Sequence, residues 1–199
     1  MRVAIRALAC LLFVAAPLVA GPEESCVRVT RQDGRVVGTG SGTVVASGGG
    51  VSRIVTNFHV AGGGGAVTVH HAGKAYPARA VGWDAGLDLC GLEVDAELPA
   101  CVIAGTPPPV GSRLCQWGHA GGVRQAIHKV GTAVGITGRV VNGGAVWETT
   151  IDAREGDSGA GVFDSNNRLV GVCWGRHSDR AGQSCVTLAD LRRFLWMDP

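Results

Sequence analysis

The chain has 199 residues, which is enough for a buried core in one domain or in two small lobes. Its 18 basic and 16 acidic side chains give a formal charge of +2. Such a balance leaves no basic stripe, so the composition argues against a nucleic-acid partner and against a charged membrane-binding face.

An apolar segment opens the chain. Residues 1–20 contain Arg2 and Arg6, continue through an uncharged apolar run and end in small residues at Ala20. This order is typical of a secretory signal peptide. A membrane anchor is the alternative, but the run is shorter than the roughly 20 residues that span a bilayer. We therefore expect cleavage after Ala20, a secreted or periplasmic location, and no stable membrane insertion afterwards.

The cysteines downstream of this leader favour disulfide bonds, because their number is even and the chain is expected to be exported. The sequence does not choose among the possible pairings. No two of them are spaced as zinc ligands, so we expect no metal and no cofactor. They are Cys26, Cys90, Cys101, Cys115, Cys173 and Cys185.

The rest of the chain predicts an all-β fold, because glycine and valine are abundant and helical periodicity is almost absent. In the first half, turn residues separate apolar or alternating segments at residues 26–30, 35–46, 52–57, 66–71, 74–81 and 87–94. A segment with three prolines, residues 106–109, predicts an extended connector. We place one lobe at residues 21–105 and the other at residues 110–199.

The second half continues in the same style. Strands are predicted at residues 112–118, 125–136, 139–141, 145–151, 159–163 and 168–174. Only the end of the chain predicts a helix, where Thr187 and Asp190 form a capping-box pattern ahead of apolar residues. Two halves of similar size indicate two small closed sheets, with the helix covering one of them.

The best candidate nucleophile is Ser158, which lies in the segment Gly156-Asp157-Ser158-Gly159. Glycines on both sides allow a sharp turn and the close approach of a substrate carbonyl. Such a turn directs the amides of Gly156 and Ser158 toward one point, where they could stabilise an oxyanion. A serine hydroxyl also needs a base.

His59 is the best candidate base, since it follows an apolar strand and a polar turn. Asp88 is the best candidate to orient it. Two leucines flank this aspartate, and a carboxylate in such a position needs good hydrogen bonds. Asp84 and Asp95 are rivals, but their polar surroundings indicate solvated side chains.

In the order His59, Asp88, Ser158, these residues resemble the catalytic triad of the chymotrypsin-like serine proteases. The flanking segments, residues 40–45, 54–60, 78–95 and 110–118, resemble the bacterial HtrA (Deg) branch. The resemblance covers residues 36–174. It implies two six-stranded antiparallel β-barrels with a short C-terminal helix, the first carrying the histidine and aspartate and the second the serine. It also implies a protein or peptide substrate and no cofactor.

The resemblance leaves the substrate specificity open. Asp152 lies six residues before Ser158, which matches the floor of the specificity pocket in trypsin-like enzymes, and Trp174 and Gly175 match its wall and mouth. This arrangement implies cleavage after Arg or Lys. The alternatives are an Asp152 that is solvated and paired with Arg154, and the small aliphatic preference of HtrA-like enzymes.

Three departures from the family keep a second interpretation open. Asp157 stands where HtrA proteins have asparagine, and its partner, an amine or an arginine, is not identified. Cys173 replaces a common serine and removes a hydrogen bond expected near Asp88. The sequence ends after the protease-sized region, so we expect no PDZ domain. The alternative is a catalytically silent binding or chaperone module.

An α/β-hydrolase is disfavoured because Ala160 interrupts its serine motif. The oligomeric state of the protein stays open.

Overall fold

The structure is a computed structural model that describes residues 20–139, 144–177 and 181–196. Within these ranges the chain forms thirteen β-strands, two α-helices and one 3-10 turn. The first half contains β1 (Cys26–Asp33), β2 (Val36–Gly48), β3 (Val51–Thr56), α1 (Phe58–Ala61), β4 (Ala66–His71), β5 (Lys74–Asp84) and β6 (Leu89–Val94). The second half contains β7 (Val102–Ile103), β8 (Arg113–Gly118), the 3-10 turn (Ala120–Gly122), β9 (Ile127–Arg139), β10 (Ala145–Thr149), β11 (Gly161–Phe163), β12 (Arg168–Arg176), β13 (Gln183–Val186) and α2 (Leu188–Trp196).

The first six strands form a closed antiparallel barrel in the order β1-β2-β3-β6-β5-β4, and β4 pairs back onto β1. Side chains that alternate along these strands fill its interior, among them the fully buried Val27, Val29 and Leu92. Gly42 belongs to this packing, because a Cβ at that position would lie 2.8 Å from Ile54 Cγ2. The predicted strands of the first half are therefore confirmed.

The second barrel is a ring in the order β11-β8-β9-β10-β13-β12, closed by the pairing of β12 with β11. Leu114, Ile151 and Val162 lie in its core. The short strand β7 adds to β12 in parallel, so the chain has reached the second barrel at Val102, before the proline segment. The predicted architecture of two six-stranded antiparallel barrels is confirmed.

Three details differ from the predicted elements. The strand β13 was not predicted, because its Gln183 is buried and donates a hydrogen bond to Gln116 Oε1 at 2.6 Å, which conceals the strand from a hydropathy pattern. The helix α1 spans four residues, too few to show a helical period. Of the predicted strand at residues 139–141, Arg139 ends β9, and the rest lies outside the described residues.

The C-terminal helix begins where the capping box predicts it. The Asp190 amide donates to Thr187 Oγ1 at 3.1 Å, and that hydroxyl donates to the Asp190 carboxylate at 3.0 Å. Leu188 and Leu191 are buried against the second barrel. Neither this helix nor any other within the described ranges has the length and apolar character needed to cross a bilayer.

The expected disulfides are not found, since all six cysteines in the described residues are free. Five are buried and Cys115 is half-buried. Burial raises the pKa of the Cys26 and Cys101 thiols to about 12. In the structure these residues behave as small apolar side chains that fill the cores.

Candidate active site

His59 and Asp88 are in direct contact. The imidazole Nδ1 lies 2.6 Å from Asp88 Oδ2, and the His59 backbone amide donates to Oδ1 at 2.9 Å. Both carboxylate oxygens therefore bind the same residue, which fixes the ring and assigns the proton to Nδ1 while the carboxylate is ionised. The Asp88 side chain is 14 % exposed, whereas that of His59 is 51 % exposed. The imidazole is therefore accessible to a substrate although one of its nitrogens contacts Asp88.

The backbone of Asp88 sets up this contact. Its φ is +54°, a left-handed conformation that aspartate tolerates better than most residues. In this conformation its carbonyl accepts hydrogen bonds from the Phe58 amide at 3.1 Å and from Asn57 Nδ2 at 2.9 Å. The turn is shaped by Asp84, whose carboxylate accepts the amides of two following residues. The start of α1 is thus fastened to the turn that presents the carboxylate.

The rival carboxylates have other roles. Asp84 folds its own turn, as described, and Asp95 is exposed and pairs with Arg79 at 3.0 Å. Neither contacts His59 among the hydrogen bonds of the described residues.

Ser158 lies in a turn that only glycine can accommodate on both sides. Gly156 and Gly159 have φ values of +91° and +88°. A Cβ at Gly159 would lie 2.1 Å from the Ser41 carbonyl oxygen, and one at Gly156 would lie 2.3 Å from the His119 carbonyl oxygen. Because both neighbours are backbone atoms, the turn has no room to adjust, and the position of Ser158 is fixed.

Ser41 makes four hydrogen bonds, and two of them hold this turn. Its amide donates to the Ser158 carbonyl at 2.8 Å, and its hydroxyl donates to the Gly156 carbonyl at 2.7 Å. The same hydroxyl accepts the His119 amide at 2.9 Å, and the Ser41 carbonyl accepts Thr56 Oγ1 at 2.6 Å. Ser41 is completely buried. In the sequence, the Gly-Ser-Gly segment of Ser41 indicated only a family resemblance, and this role was not predicted.

The same strand segment lies between Ser158 and the helix of His59. A Cβ at Gly40 would lie 2.7 Å from both methyl groups of Val60 and 3.0 Å from the Ser158 carbonyl oxygen. Ser158 and His59 therefore flank one point of β2. Among the described residues, the Ser158 hydroxyl makes no hydrogen bond of ordinary length to the His59 ring. Catalytic hydrogen bonds are often long without substrate and shorten in the complex.

The backbone amides of Gly156 and Ser158 are free. Within the described part of the chain they donate to no protein acceptor, whereas the Asp157 and Gly159 amides between and after them donate at 3.0 Å to the carbonyls of Arg154 and Cys173. Two free N–H groups in one rigid turn can receive an oxyanion. The structure thus keeps both predicted donors available.

Asp157 has a partner that the sequence analysis did not identify. Its side chain is completely buried, and Oδ2 accepts a short hydrogen bond from Lys129 Nζ and another at 2.7 Å from the Arg154 amide. Lys129 Nζ also donates to the Asp152 carbonyl at 2.9 Å. The partner is therefore neither a terminal amine nor an arginine. The available signal was that Lys129 is the one Lys, Arg, Asp or Glu residue in the predicted strand at residues 125–136.

The candidate specificity residues are arranged differently from the trypsin-like expectation. The Asp152 carboxylate is 64 % exposed and lies 3.5 Å from the Arg154 guanidinium. This arrangement matches the alternative of a solvated acid paired with Arg154. Trp174 and Gly175 lie on β12, half-buried, and a Cβ at Gly175 would meet no atom within 4 Å. The space beside Gly175 on this strand is therefore not filled by other atoms of the described residues.

Cys173 is buried beside the serine turn. Its carbonyl accepts the Gly159 amide, and its own amide donates to the Ala160 carbonyl at 2.8 Å. Burial raises the pKa of its thiol well above the usual range. Because His59 occupies both oxygens of Asp88, the presence of cysteine rather than serine at position 173 leaves the His59–Asp88 contact intact.

No cluster of metal-ligating side chains occurs in residues 20–139, 144–177 and 181–196.

Comparison with known proteins places this geometry in a family. The sequence model described as "Trypsin-like peptidase domain" matches residues 40–172, a span that includes His59, Asp88 and Ser158. The chain belongs to the trypsin-like peptidase family.

One relative shows how far the similarity extends in sequence and in structure. Serine protease Rv3671c of Mycobacterium tuberculosis strain H37Rv is 29 % identical over 184 residues, which cover 87 % of this chain and 45 % of that protein. The crystal structure of its active form has a TM-score of 0.78 at 26 % identity, covering 87 % of this chain and 80 % of that one. This trypsin-like peptidase therefore spans about half the length of the curated relatives it matches.

A third comparison concerns the fold alone. The serine endoprotease from Yersinia pestis has a TM-score of 0.77 at 21 % identity, covering 87 % of this chain and 62 % of that one. The double barrel is thus shared with proteins whose sequences have diverged widely.

Proposed function

We propose that this trypsin-like peptidase is an exported serine endopeptidase that hydrolyses peptide bonds through His59, Asp88 and Ser158. The observation that carries the proposal is the bonded pair of His59 and Asp88, which lies on one side of the Gly40-Ser41 segment while the rigid Ser158 turn lies on the other. The apolar leader at residues 1–20 supports export.

In the proposed mechanism, Asp88 keeps the His59 proton on Nδ1, so that Nε2 accepts the proton of the Ser158 hydroxyl as its oxygen attacks the substrate carbonyl. The amides of Gly156 and Ser158 donate to the resulting oxyanion, and each contributes about 3 kcal/mol to its stabilisation. His59 then protonates the leaving amine. A water molecule, activated by the same imidazole, hydrolyses the acyl-enzyme and releases Ser158.

The substrate binds along the free edge of β12. On the side away from β13, the pairing of β12 with β11 stops at Val172, so within the described residues the edge at 174–176 has no strand partner. An extended peptide adds to such an edge by backbone hydrogen bonds. Trp174 and Gly175 then lie beside the residue whose carbonyl is attacked.

The substrates that this cleft favours are peptides with an uncharged residue before the cleaved bond, because Arg154 compensates the charge of Asp152. A panel of peptides that differ only at that position tests this preference. Turnover of valine or alanine peptides above that of arginine peptides is expected. Strong selection for arginine or lysine would contradict it and restore Asp152 as the specificity determinant.

The catalytic roles are tested by turnover of a fluorescence-quenched peptide library. Ser158→Ala should lower kcat on the order of a millionfold, and Asp88→Asn about ten-thousandfold, because the amide favours the wrong tautomer. Asp95→Asn is the matched control, since this exposed carboxylate pairs with Arg79 and makes no hydrogen bond to His59 among the described residues. A folded wild-type protein that cleaves no peptide would favour the silent binding module. A Ser158→Ala variant with full activity would remove Ser158 from the proposed mechanism.

A further inference from the structure

A polar cavity lies on the seam between the two barrels, and its lining does not include His59, Asp88 or Ser158. Its volume is about 770 Å³. Arg28 on β1 and His70 on β4 line it from the first barrel, while His119 and Arg124 line it from the segment that follows β8. Four cationic or potentially cationic side chains from separate parts of the chain therefore face one space.

In the part of the chain that the structure describes, the two arginines have no counter-ion. Within the described residues neither Arg28 nor Arg124 forms an ion pair, and the buried Nε of Arg28 has no hydrogen-bond partner. Glu23 and Glu24 also line the cavity, but both are exposed and neither pairs with an arginine. Arg124 is exposed and keeps its hydration, whereas the Nε of the half-buried Arg28 has lost water without gaining a partner. Such a loss is costly, so the arrangement around Arg28 is incomplete as it stands.

The imidazole of His119 also has a buried nitrogen without a hydrogen-bond partner among the described residues. The residue is only 5 % exposed, its Nδ1 donates to the Val123 carbonyl at 2.9 Å, and its Nε2 is buried without a partner. Burial lowers the pKa of His119, the positive charges of Arg28 and His70 lower it further, and the Val123 hydrogen bond and Asp157 oppose them. A nearby anion would reverse the largest part of this charge repulsion.

The pKa of His70 is lowered as well. Its Nε2 lies 2.9 Å from Thr30 Oγ1, and burial, Arg28 and Arg124 lower the pKa of its ring. Arg28 lowers the pKa of both imidazoles, and Arg124 lowers that of His70. Positive charge on the cavity wall therefore acts on both histidines.

We propose that this cavity binds a tetrahedral oxyanion of the phosphate or sulfate type between Arg28 and Arg124. Guanidinium groups recognise such anions through paired hydrogen bonds. The remaining titratable groups on the cavity wall are His71, whose Nε2 contacts the Glu24 carbonyl at 2.8 Å, and the buried thiol of Cys26. Because Nε2 of neutral His119 is an acceptor, binding is coupled to proton uptake there and tightens as the pH falls. The inference is independent of the proposed peptidase activity.

The cavity is larger than one inorganic ion, so the anion can be free or the charged end of a small organic phosphate. Calorimetric titration of the full chain with inorganic phosphate, sulfate and phenyl phosphate, at constant ionic strength in chloride, separates these sources. Saturable binding of inorganic phosphate or sulfate supports the site. Tighter binding of phenyl phosphate supports it as well and identifies an organic phosphate as the better ligand.

The decisive comparison uses Arg28→Gln combined with Arg124→Gln. We expect phosphate to bind the wild type at pH 5.5 with unit stoichiometry and to bind the variant about tenfold more weakly or worse. Arg35→Gln, which removes an exposed arginine outside the cavity, should bind like the wild type. Should the arginine variant misfold, proton NMR of the wild type takes its place, where phosphate should raise the pKa of His119. Unchanged binding in the folded arginine variant, binding no tighter at pH 5.5 than at pH 8, or an unmoved His119 titration would overturn the proposal.

Discussion

At the scale of single residues, the orientation of the serine turn depends on one buried charge. Asp157 is completely buried, and Lys129 is its cationic partner. Since Lys129 also binds the Asp152 carbonyl, one side chain fixes both ends of the segment from Asp152 to Asp157. This segment contains Gly156, a proposed oxyanion donor. The proposed active site therefore needs no terminal amine to hold it in place.

Lys129→Met should destabilise the protein by about 3–5 kcal/mol, because it leaves Asp157 buried and unpaired. Denaturant unfolding measures this loss. The other lysine of the chain, the exposed Lys74, provides the control, and Lys74→Met should leave stability unchanged. Adding Asp157→Asn to Lys129→Met should restore part of the loss. A Lys129→Met protein as stable as the wild type would show that this pair does not hold the turn.

The residues proposed to carry the chemistry were easier to select from the sequence than those that position them. His59, Asp88 and Ser158 stand in local patterns that a reader of the sequence can interpret. Ser41 and Lys129 act on partners 115 and 28 positions away, and no local pattern encodes these contacts. Which of several polar residues is buried next to which is decided by the fold.

At the scale of elements, two barrels meet where the serine turn packs against β2. Gly159 makes this possible, since its positive φ and its closeness to the Ser41 carbonyl exclude any side chain. The strands themselves were predictable from alternation and turn residues. The helix α1 and the strand β13 were not, because α1 is too short and β13 buries Gln183, which hydrogen-bonds the buried Gln116.

Gly159→Ala should lower stability by about 2 kcal/mol or more, because a Cβ meets a backbone oxygen and the conformation is strained as well. Peptide turnover should fall with it, since Ser158 is displaced. Gly48→Ala is the matched control, as a Cβ there meets no atom within 4 Å. Thermal unfolding of both variants is the measurement, and equal melting temperatures would contradict the packing described for the turn.

At the scale of the whole molecule, the fold buries thiols and imidazoles that resist ionisation. Cys26 and Cys101 have pKa values raised to about 12, and Cys185 lies well above its usual range, in each case because of burial. A protonated, enclosed thiol is a poor nucleophile. The cores are therefore held by packing rather than by cross-links.

Iodoacetamide should accordingly leave the buried cysteines of the native protein unmodified at pH 8. In denaturant without reductant, the chain that has lost residues 1–20 should gain six adducts, since every remaining cysteine is a free thiol. Intact mass spectrometry counts them. Fewer adducts, restored to six after reduction, would reveal disulfides and contradict the free thiols of the structure.

Stability should also decline below neutral pH. The pKa values of His70 and His119 are lowered in the folded state, so the unfolded chain binds protons first as the pH falls. Their contribution is complete above the pKa of the unfolded imidazoles and is lost as the pH falls through the folded values. Unfolding in phosphate-free buffer between pH 7.5 and 5.5 measures this loss. His119→Asn, which retains a donor for the Val123 carbonyl, should flatten the profile, and an identical profile would exclude His119 as a source.

The central claim is that His59 and Asp88 activate Ser158 as a nucleophile, and reaction with an organophosphonate tests it most directly. Intact mass and peptide mapping should find one adduct, on Ser158, in the wild-type protein and none in His59→Ala. The Asp95→Asn control should react like the wild type. A folded wild-type protein that acquires no adduct, or one modified at another residue, would contradict the account.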